Sequence, residues 1–553
     1  MSGGDFGEVT GPGERGQGGQ PPGGPAGHPA GPPGEAAPPG PYAPPLPAGY
    51  GMPGQPRQFG PPLPPLTPAP VREPRSRRRT AALVAAVVAA LLVAAGGVYV
   101  VAVDRGDRGD TASADAAPAP AGTAAVDQGD GKGPGGPPHV YDPNAGIKPG
   151  EARVWFSDNR TELTRSGAQQ YGPWRVGEVV VRAMFKEIVG HGVSDGQEKW
   201  KVSLETPLCG VPQGPAASGK LVVGVRTGDS PTSRCTHLQQ IDLTTGTAGW
   251  KVEVPQENSA DFGLEYAMAI SGDTVAVARS AVMSGFSVTD GRKLFGTSKT
   301  GNCTPAAFGG GARLIGVRNC FAPGSADNQV MIQDVDPATG QPRWSYQYPQ
   351  GWSLGRILSL DPLVVAGYHS GQKAWNITVF HADGTIRSQT DMKFAVNGRC
   401  NGWGNGLTGL QACDAAVADA DTLYIAGGKP GKHLGIDEVD EVVAVDLNTG
   451  QEKWHAAAPK GRTMWPLAIE NGALLLYVEA GAGEPGEIAT LPPGGGTPQV
   501  VLRSPAMARG AQSVFFSHSV RLAWSGGRLF LLKGTVRSPE PTMVDHAILS
   551  FGR

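Results

Sequence analysis

Asp446-Leu447-Asn448-Thr449-Gly450-Gln451-Glu452-Lys453-Trp454 is one copy of a pattern that the chain repeats. Asp242-Leu243-Thr244-Thr245-Gly246-Thr247-Ala248-Gly249-Trp250 and Asp336-Pro337-Ala338-Thr339-Gly340-Gln341-Pro342-Arg343-Trp344 carry it in full, and Asp195-Gly196-Gln197-Glu198-Lys199-Trp200 carries its second half. In each copy a glycine (Gly196, Gly246, Gly340, Gly450) stands four residues before a tryptophan (Trp200, Trp250, Trp344, Trp454). Weaker copies run from Asp290-Gly291 to Phe295, from Asp383-Gly384 to Ser388, and from Gly494-Gly495-Gly496 to Val500. Asp or Asn followed by Thr and Gly makes a tight hairpin, in which glycine takes the positive φ that a side chain resists. The tryptophan then falls at the start of an outer strand, where a large flat ring can wedge against the next repeat.

Successive anchor positions are 50, 45, 49, 44, 66 and 46 residues apart, from Trp200 to Val500. A four-stranded propeller blade takes about 40 to 50 residues, and the long interval implies an insertion, expected around Lys429 to Val439. Between the hairpins lie runs such as Leu221-Val222-Val223-Gly224-Val225, Thr274-Val275-Ala276-Val277 and Leu474-Leu475-Leu476-Tyr477-Val478. They are rich in β-branched and aliphatic residues and bounded by turn formers, and so read as strands. One blade cannot bury its apolar face alone, and stacking around a ring solves this. Seven hairpins end seven blades. The C-terminal strands near Val520–Ala523, Arg528–Lys533 and Ala547–Phe551 lack a fourth partner, which Arg153–Ser157 can supply. The expected fold is therefore an all-β propeller of eight four-stranded blades over residues 151–553, with seven blades as the alternative.

These hairpins resemble the pyrroloquinoline-quinone-type, BamB-like propeller repeat, with its Asp-x-x-Thr-Gly-x-x-x-Trp docking motif. The resemblance covers about 400 of the 553 residues. It implies a propeller, commonly of eight blades, and structural docking roles for the four Gly–Trp pairs. It also implies either a scaffold, as in the outer-membrane assembly-factor propellers, or a quinoprotein. Quinoproteins of this class carry adjacent cysteines and acidic and amide metal ligands in the cofactor pocket. This chain has no Cys-Cys pair, and no cofactor or metal site carries over.

The N-terminal part is of another kind. The chain holds 83 Gly and 51 Pro, and residues 1–70 alone hold 18 Gly and 21 Pro. Such a segment lacks the apolar surface that offsets ordering entropy, so residues 1–79 read as a disordered cytoplasmic tail with a basic end at Arg72, Arg75, Arg77, Arg78 and Arg79. Ala81 to Val103 is 23 residues without charge, about 34 Å as a helix and long enough to cross a bilayer. Residues 80–103 are expected to span the membrane once, with the arginines inside and the C-terminal part outside. Residues 104–150, rich in Ala, Gly, Pro and Asp, read as an extracytoplasmic linker.

Forty-seven Lys and Arg against 49 Asp and Glu leave a formal charge of -2, which gives no case for nucleic acid as a partner. Gly214 to Lys220 has phosphate-loop spacing, but Leu221 follows where Ser or Thr would hold magnesium. The ten histidines show no metal spacing, and Asp437 to Glu441 reads as a solvated acidic insertion. All six cysteines, Cys209, Cys235, Cys303, Cys320, Cys400 and Cys413, lie beyond the proposed span. An oxidising exterior permits disulfides between nearest neighbours, at separations of 26, 17 and 13 residues, among the 15 possible connectivities. The composite expectation is a non-catalytic, membrane-anchored bacterial propeller outside the cell that binds a protein or envelope ligand and holds no cofactor. An oxidoreductase or channel-carboxylate hydrolase is the alternative.

Overall fold

The computed structural model describes residues 141–257, 259, 261, 263–280, 282–297, 301–321, 328–396, 409–428, 440–516, 519–539 and 545–553. The tail, the expected span at 80–103 and most of the linker lie outside these residues, as do Cys400 and the segment 429–439. Among the described residues no helix is long and apolar enough to cross a membrane.

Eight antiparallel sheets form an eight-bladed propeller. Blade 1 comprises Ala168–Val176, Val179–Met184, Glu187–Gly192 and Glu198–Ser203, in order outward, with the short strand Thr535–Val536 paired to the inner edge of Ala168–Val176. Blade 2 comprises Leu208–Gly210, Lys220–Arg226, Cys235–Asp242 and Thr247–Glu253. Blades 3, 4 and 5 begin at Ala267–Ser271, Cys303–Gly310 and Trp352–Leu360 and end at Lys293–Phe295, Pro342–Gln347 and Ile386–Asp391. Blade 7 runs from Met464–Glu470 to Gln499–Arg503.

Blade 8 is completed by the N-terminal strand. Arg153–Asp158 lies outermost against His546–Gly552, followed inward by Arg528–Lys533 and Val520–Ser525. The register sets Trp155 opposite Ser550 and Phe156 opposite Leu549. Joining the two ends of the chain in one sheet removes the free edge that an open array would expose.

The burial of each strand follows its place in the blade. In blade 3 the inner three strands, Ala267–Ser271, Thr274–Arg279 and Val282–Ser287, are buried at every residue described, because both faces meet a neighbouring blade. Continuous apolar runs suit strands covered on both sides, whereas alternation marks a half-exposed strand. The outermost strands Thr247–Glu253 and Pro342–Gln347 are mostly exposed, with the motif tryptophan among their half-buried positions. Apolar clusters accordingly form between blades: Val181 and Ile188 of blade 1 pack with Leu221, Val223 and Ile241 of blade 2.

Two features depart from the repeat. The helix Arg509–Phe516 joins blades 7 and 8 and buries Ala511 and Phe515; it is too short for its periodicity to stand out within the strand pattern. In blade 6, Ala395–Val396 and Ala416–Ala418 both pair with Thr422–Gly428, followed by Glu441–Asp446 and Glu452–Ala457. The chain thus makes an excursion at the innermost position of this blade. That places part of the extra length of the long repeat before Thr422, as well as in the expected 429–439 segment.

Candidate functional site

The repeated hairpins form a ring of contacts between blades. At Asp446 the carboxylate accepts hydrogen bonds from the amides of Asn448 and Thr449, both at 2.9 Å, and Gly450 N–H donates to the Asp446 carbonyl at 2.8 Å. The Thr449 amide, against a burial effect that opposes it, holds the Asp446 carboxyl below its ordinary value, with further help from Asn448. Gly196, Gly246, Gly340 and Gly450 all have φ between +68° and +72°. Their lack of a side chain matters twice, since each lies against an element of the preceding blade. A Cβ at Gly246 would stand 2.4 Å from the ring of Trp200, and one at Gly384 would stand 2.4 Å from the ring of Trp344. Gly291 faces Trp250, Gly495 faces Trp454 and Gly340 faces Phe295. The four motif rings are half-buried, lying across the outer edge of each junction.

Several indoles add a hydrogen bond. Trp250 Nε1 donates to the Val288 carbonyl at 3.0 Å, Trp344 to Ala382 at 3.0 Å and Trp454 to Pro493 at 2.7 Å. Trp200 Nε1 is buried without a partner. Trp155, on the N-terminal strand, performs the same role between blades 8 and 1. A Cβ at Gly196 would stand 2.4 Å from its ring, and its Nε1 donates to Val193 O at 2.8 Å. The sequence reading missed Trp155. Its signal was the spacing of 45 residues before Trp200, masked because no Asp-Thr-Gly hairpin precedes the strand and Glu151, not glycine, stands four residues before Trp155.

Two disulfides join expected partners. Cys303 and Cys320 are opposite each other on adjacent strands of blade 4. Cys209–Cys235 links the first strand of blade 2 to the third, passing the second at Gly224, where an added Cβ would lie 3.1 Å from Cys235 Sγ. Cys413 is also disulfide-bonded.

A cavity of about 510 Å³ opens at the centre of the ring, on the face where the innermost strands begin. Tyr171 and Trp174 reach it from blade 1, Cys209 and Arg226 from blade 2, Glu265 and Tyr266 from the approach to blade 3, and Arg521 from blade 8. The motif hairpins join third to fourth strands and so turn on the opposite face; none lines the cavity. The remaining wall includes Gly409 and Ala412, from the excursion of blade 6. That segment is pinned across the ring. Gln411 accepts from Gly310 N–H at 2.7 Å and donates to Gly310 O at 3.0 Å, while Leu410 O accepts from Ile357 N–H at 2.8 Å. The result is a one-sided cup rather than a mouth shared by eight blades.

Charge in the cup is uneven. The Arg521 guanidinium lies 5.8 Å from the centre of the Tyr171 ring, a cation–π distance. Arg226 Nη1 donates to the carbonyls of Pro231 and Ser233 at 3.0 and 2.8 Å, which fixes that side chain. Glu265 is exposed, and among the described residues it is the one carboxylate in the lining. Burial raises the pKa of the Tyr171 phenol, partly offset by Arg521, so it remains a neutral hydroxyl.

Residues 145–303 match the family model described as outer membrane protein assembly factor BamB. The match covers the closing strand and blades 1 to 3. No curated protein matches the chain. Among solved structures, one titled crystal structure of the eukaryotic initiation factor is 11% identical over 71% of this chain and 87% of its own, with a TM-score of 0.39. Another, dihydro-heme d1 dehydrogenase NirN in complex with DHE, is 11% identical over 71% of this chain and 75% of its own, with a TM-score of 0.38. Neither likeness carries an argument about function. The chain is an eight-bladed β-propeller. Over residues 145–303 its repeat is similar to that of the assembly-factor propellers.

The residues of the cup do not fit a quinone with its metal. Among the described residues the lining offers one exposed carboxylate, a poor donor set for a divalent cation, and Cys209 is bonded to a cysteine two strands away rather than to a sequence neighbour. Among the described residues no group of three His, Cys, Asp or Glu side chains is placed to hold a metal ion. In the acidic run expected as a solvated insertion, residues 437–439 lie outside the described residues, while Glu441 pairs with His455 at 3.1 Å.

Proposed function

We propose that the chain is a single-pass membrane protein whose propeller stands outside the cell and binds a protein or cell-envelope ligand without catalysis. The observation that carries this reading is the cup. It is a polar, one-sided cavity of about 510 Å³ at the ring centre, within the size range of ligand sites, and its described lining holds one carboxylate, Glu265, where a hydrolase uses a pair. The disulfides of blades 2 and 4 suit an oxidising compartment. The uncharged stretch 80–103, preceded by arginines, supplies the anchor and the orientation. The likeness to assembly-factor propellers favours a scaffold, and the misfit of the cup to a quinone disfavours an oxidoreductase.

A photo-crosslinking residue at Gln169, exposed in the cup lining near the start of the innermost strand of blade 1, tests this in the full chain within cell envelopes. A discrete adduct, absent when the crosslinker sits on the opposite hairpin face at Thr245, is the expected result. Equal labelling from both positions would remove the cup as the binding site. Protease treatment of wall-stripped cells should digest the propeller and spare the tail, and the reverse pattern would overturn the orientation. Stoichiometric binding of pyrroloquinoline quinone with calcium, accompanied by dye reduction, would replace the scaffold reading with the enzymatic one.

A further inference from the structure

We propose that the cup recognises a carboxylate, with Arg521 as the residue that engages it; this rests on the reading of the cup as the ligand site. The argument begins with what Arg521 does not do. It is half-buried at the start of the innermost strand of blade 8, and it donates no hydrogen bond to any of the described residues. Among the described residues its cation–π neighbour is Tyr171, whose ring centre is 5.8 Å away. A cation–π contact at that distance uses the charge of the guanidinium but none of its five N–H donors. A half-buried cation with unused donors is unfavourable unless a partner arrives, and a planar carboxylate matches its two-pronged geometry.

The surroundings narrow the choice of anion. Arg226 is the second cation of the lining, with Nη1 committed to Pro231 and Ser233 and the rest of its guanidinium donating to none of the described residues. Glu265 offsets one of the two arginines, so the described lining residues carry one net positive charge. That balance suits a monoanion better than a phosphate dianion. Tyr171 keeps its proton and can donate to the same ligand. Gly409 and Ala412 add small, uncharged surface to the same lining. A carboxylate can be offered in two ways, as a free small acid or as an acidic side chain on a protein loop, and the chemistry at Arg521 is the same.

The test uses the full-length protein in detergent micelles, titrated calorimetrically. The probes are N-acetylglutamate, its amide counterpart N-acetylglutamine, inorganic phosphate, and a capped pentapeptide with one central glutamate. The acid should bind at least about tenfold more tightly than the amide, the size of a charge-assisted hydrogen bond. Arg521→Gln should abolish that preference, and Arg521→Lys should restore part of it. Because Arg521 donates no hydrogen bond within the described structure, the melting temperature of Arg521→Gln should stay close to that of the parent, which separates lost binding from lost folding. Tighter binding of the pentapeptide than of N-acetylglutamate assigns the acid to a protein partner; equal binding assigns it to a free acid. Equal affinity for acid and amide overturns the proposal, as does an unchanged preference in Arg521→Gln or a preference for phosphate. The scaffold reading fails separately. If Arg521→Gln still crosslinks its envelope partner, the carboxylate reading falls and the scaffold stands. If the parent binds the acid but captures no partner, the scaffold falls and the carboxylate site stands.

Discussion

Ser388 Oγ donates a hydrogen bond to the carbonyl of Leu447 at 2.7 Å. Leu447 stands three residues before Gly450, as Val288 stands three before Gly291, where the indole of Trp250 donates. A serine in the tryptophan position thus keeps the polar half of the blade junction and gives up the ring. Thr390 fills part of the space instead, since a Cβ at Gly450 would lie 2.9 Å from Thr390 Cβ.

Ser388→Ala should therefore destabilise the propeller by about 1 kcal/mol, through the lost hydrogen bond and the buried Leu447 carbonyl left without it. Urea unfolding of the parent and variant measures this. A change within error would mean that the junction between blades 5 and 6 holds by packing alone.

The tryptophans should not be equivalent. Trp250→Phe removes an indole hydrogen bond to Val288 and should cost about 1 kcal/mol beyond the change in packing. Trp200→Phe removes a buried N–H that has no partner and should cost less. Truncation of Trp250 to Ala should cost about 3 kcal/mol, the low end for a tryptophan, because the ring is half-buried. Binding at the cup should survive this change while the ring stays folded, since Trp250 lies on the other face. Equal losses for the two Phe variants would remove the distinction.

Acid should weaken the junction between blades 8 and 1. His191 is 2% exposed, and burial, reinforced by the Arg182 charge, pushes its pKa from 6.5 down to about 4. Its Nδ1 is 3.1 Å from the Gly196 carbonyl, and its ring lies 6.4 Å from that of Trp155. The unfolded chain takes up this proton near pH 6.5 and the folded chain only near pH 4. Stability is therefore full above about pH 6.5 and falls as the pH drops towards 4, by about 3 kcal/mol for this group. His191→Gln should flatten the pH dependence of the urea midpoint over that window. A variant that keeps the parent slope would place the acid sensitivity in other groups.

Non-reducing peptide mapping should link Cys209 to Cys235 and Cys303 to Cys320. Opening the 26-residue separation of the first with Cys209→Ser should cost about 3 kcal/mol on the chain-entropy account. Six alkylatable thiols in natively folded protein would refute the pairing.

The sequence by itself determined the repeating unit. Asp, Thr, Gly and Trp within nine residues specify a hairpin through contacts local in the chain, and their recurrence at 44 to 50 residues, with one interval of 66, specifies blades. It also determined the closing strand, because seven hairpins leave an incomplete eighth sheet that only a distant segment can finish. The tertiary structure alone decided what sits at the centre. Arg521 meets Tyr171 across 350 positions of sequence, and Gln411 reaches Gly310 across 101. Neither pair has a periodic signature, because each arises where the ring brings different blades to a shared axis. Trp155 shows the same limit: its spacing was visible, but its contact with Gly196 exists only once the ring has closed. Local turn chemistry is written in neighbouring residues. The cup is made by circular stacking, which places residues side by side according to blade order and strand end rather than distance along the chain.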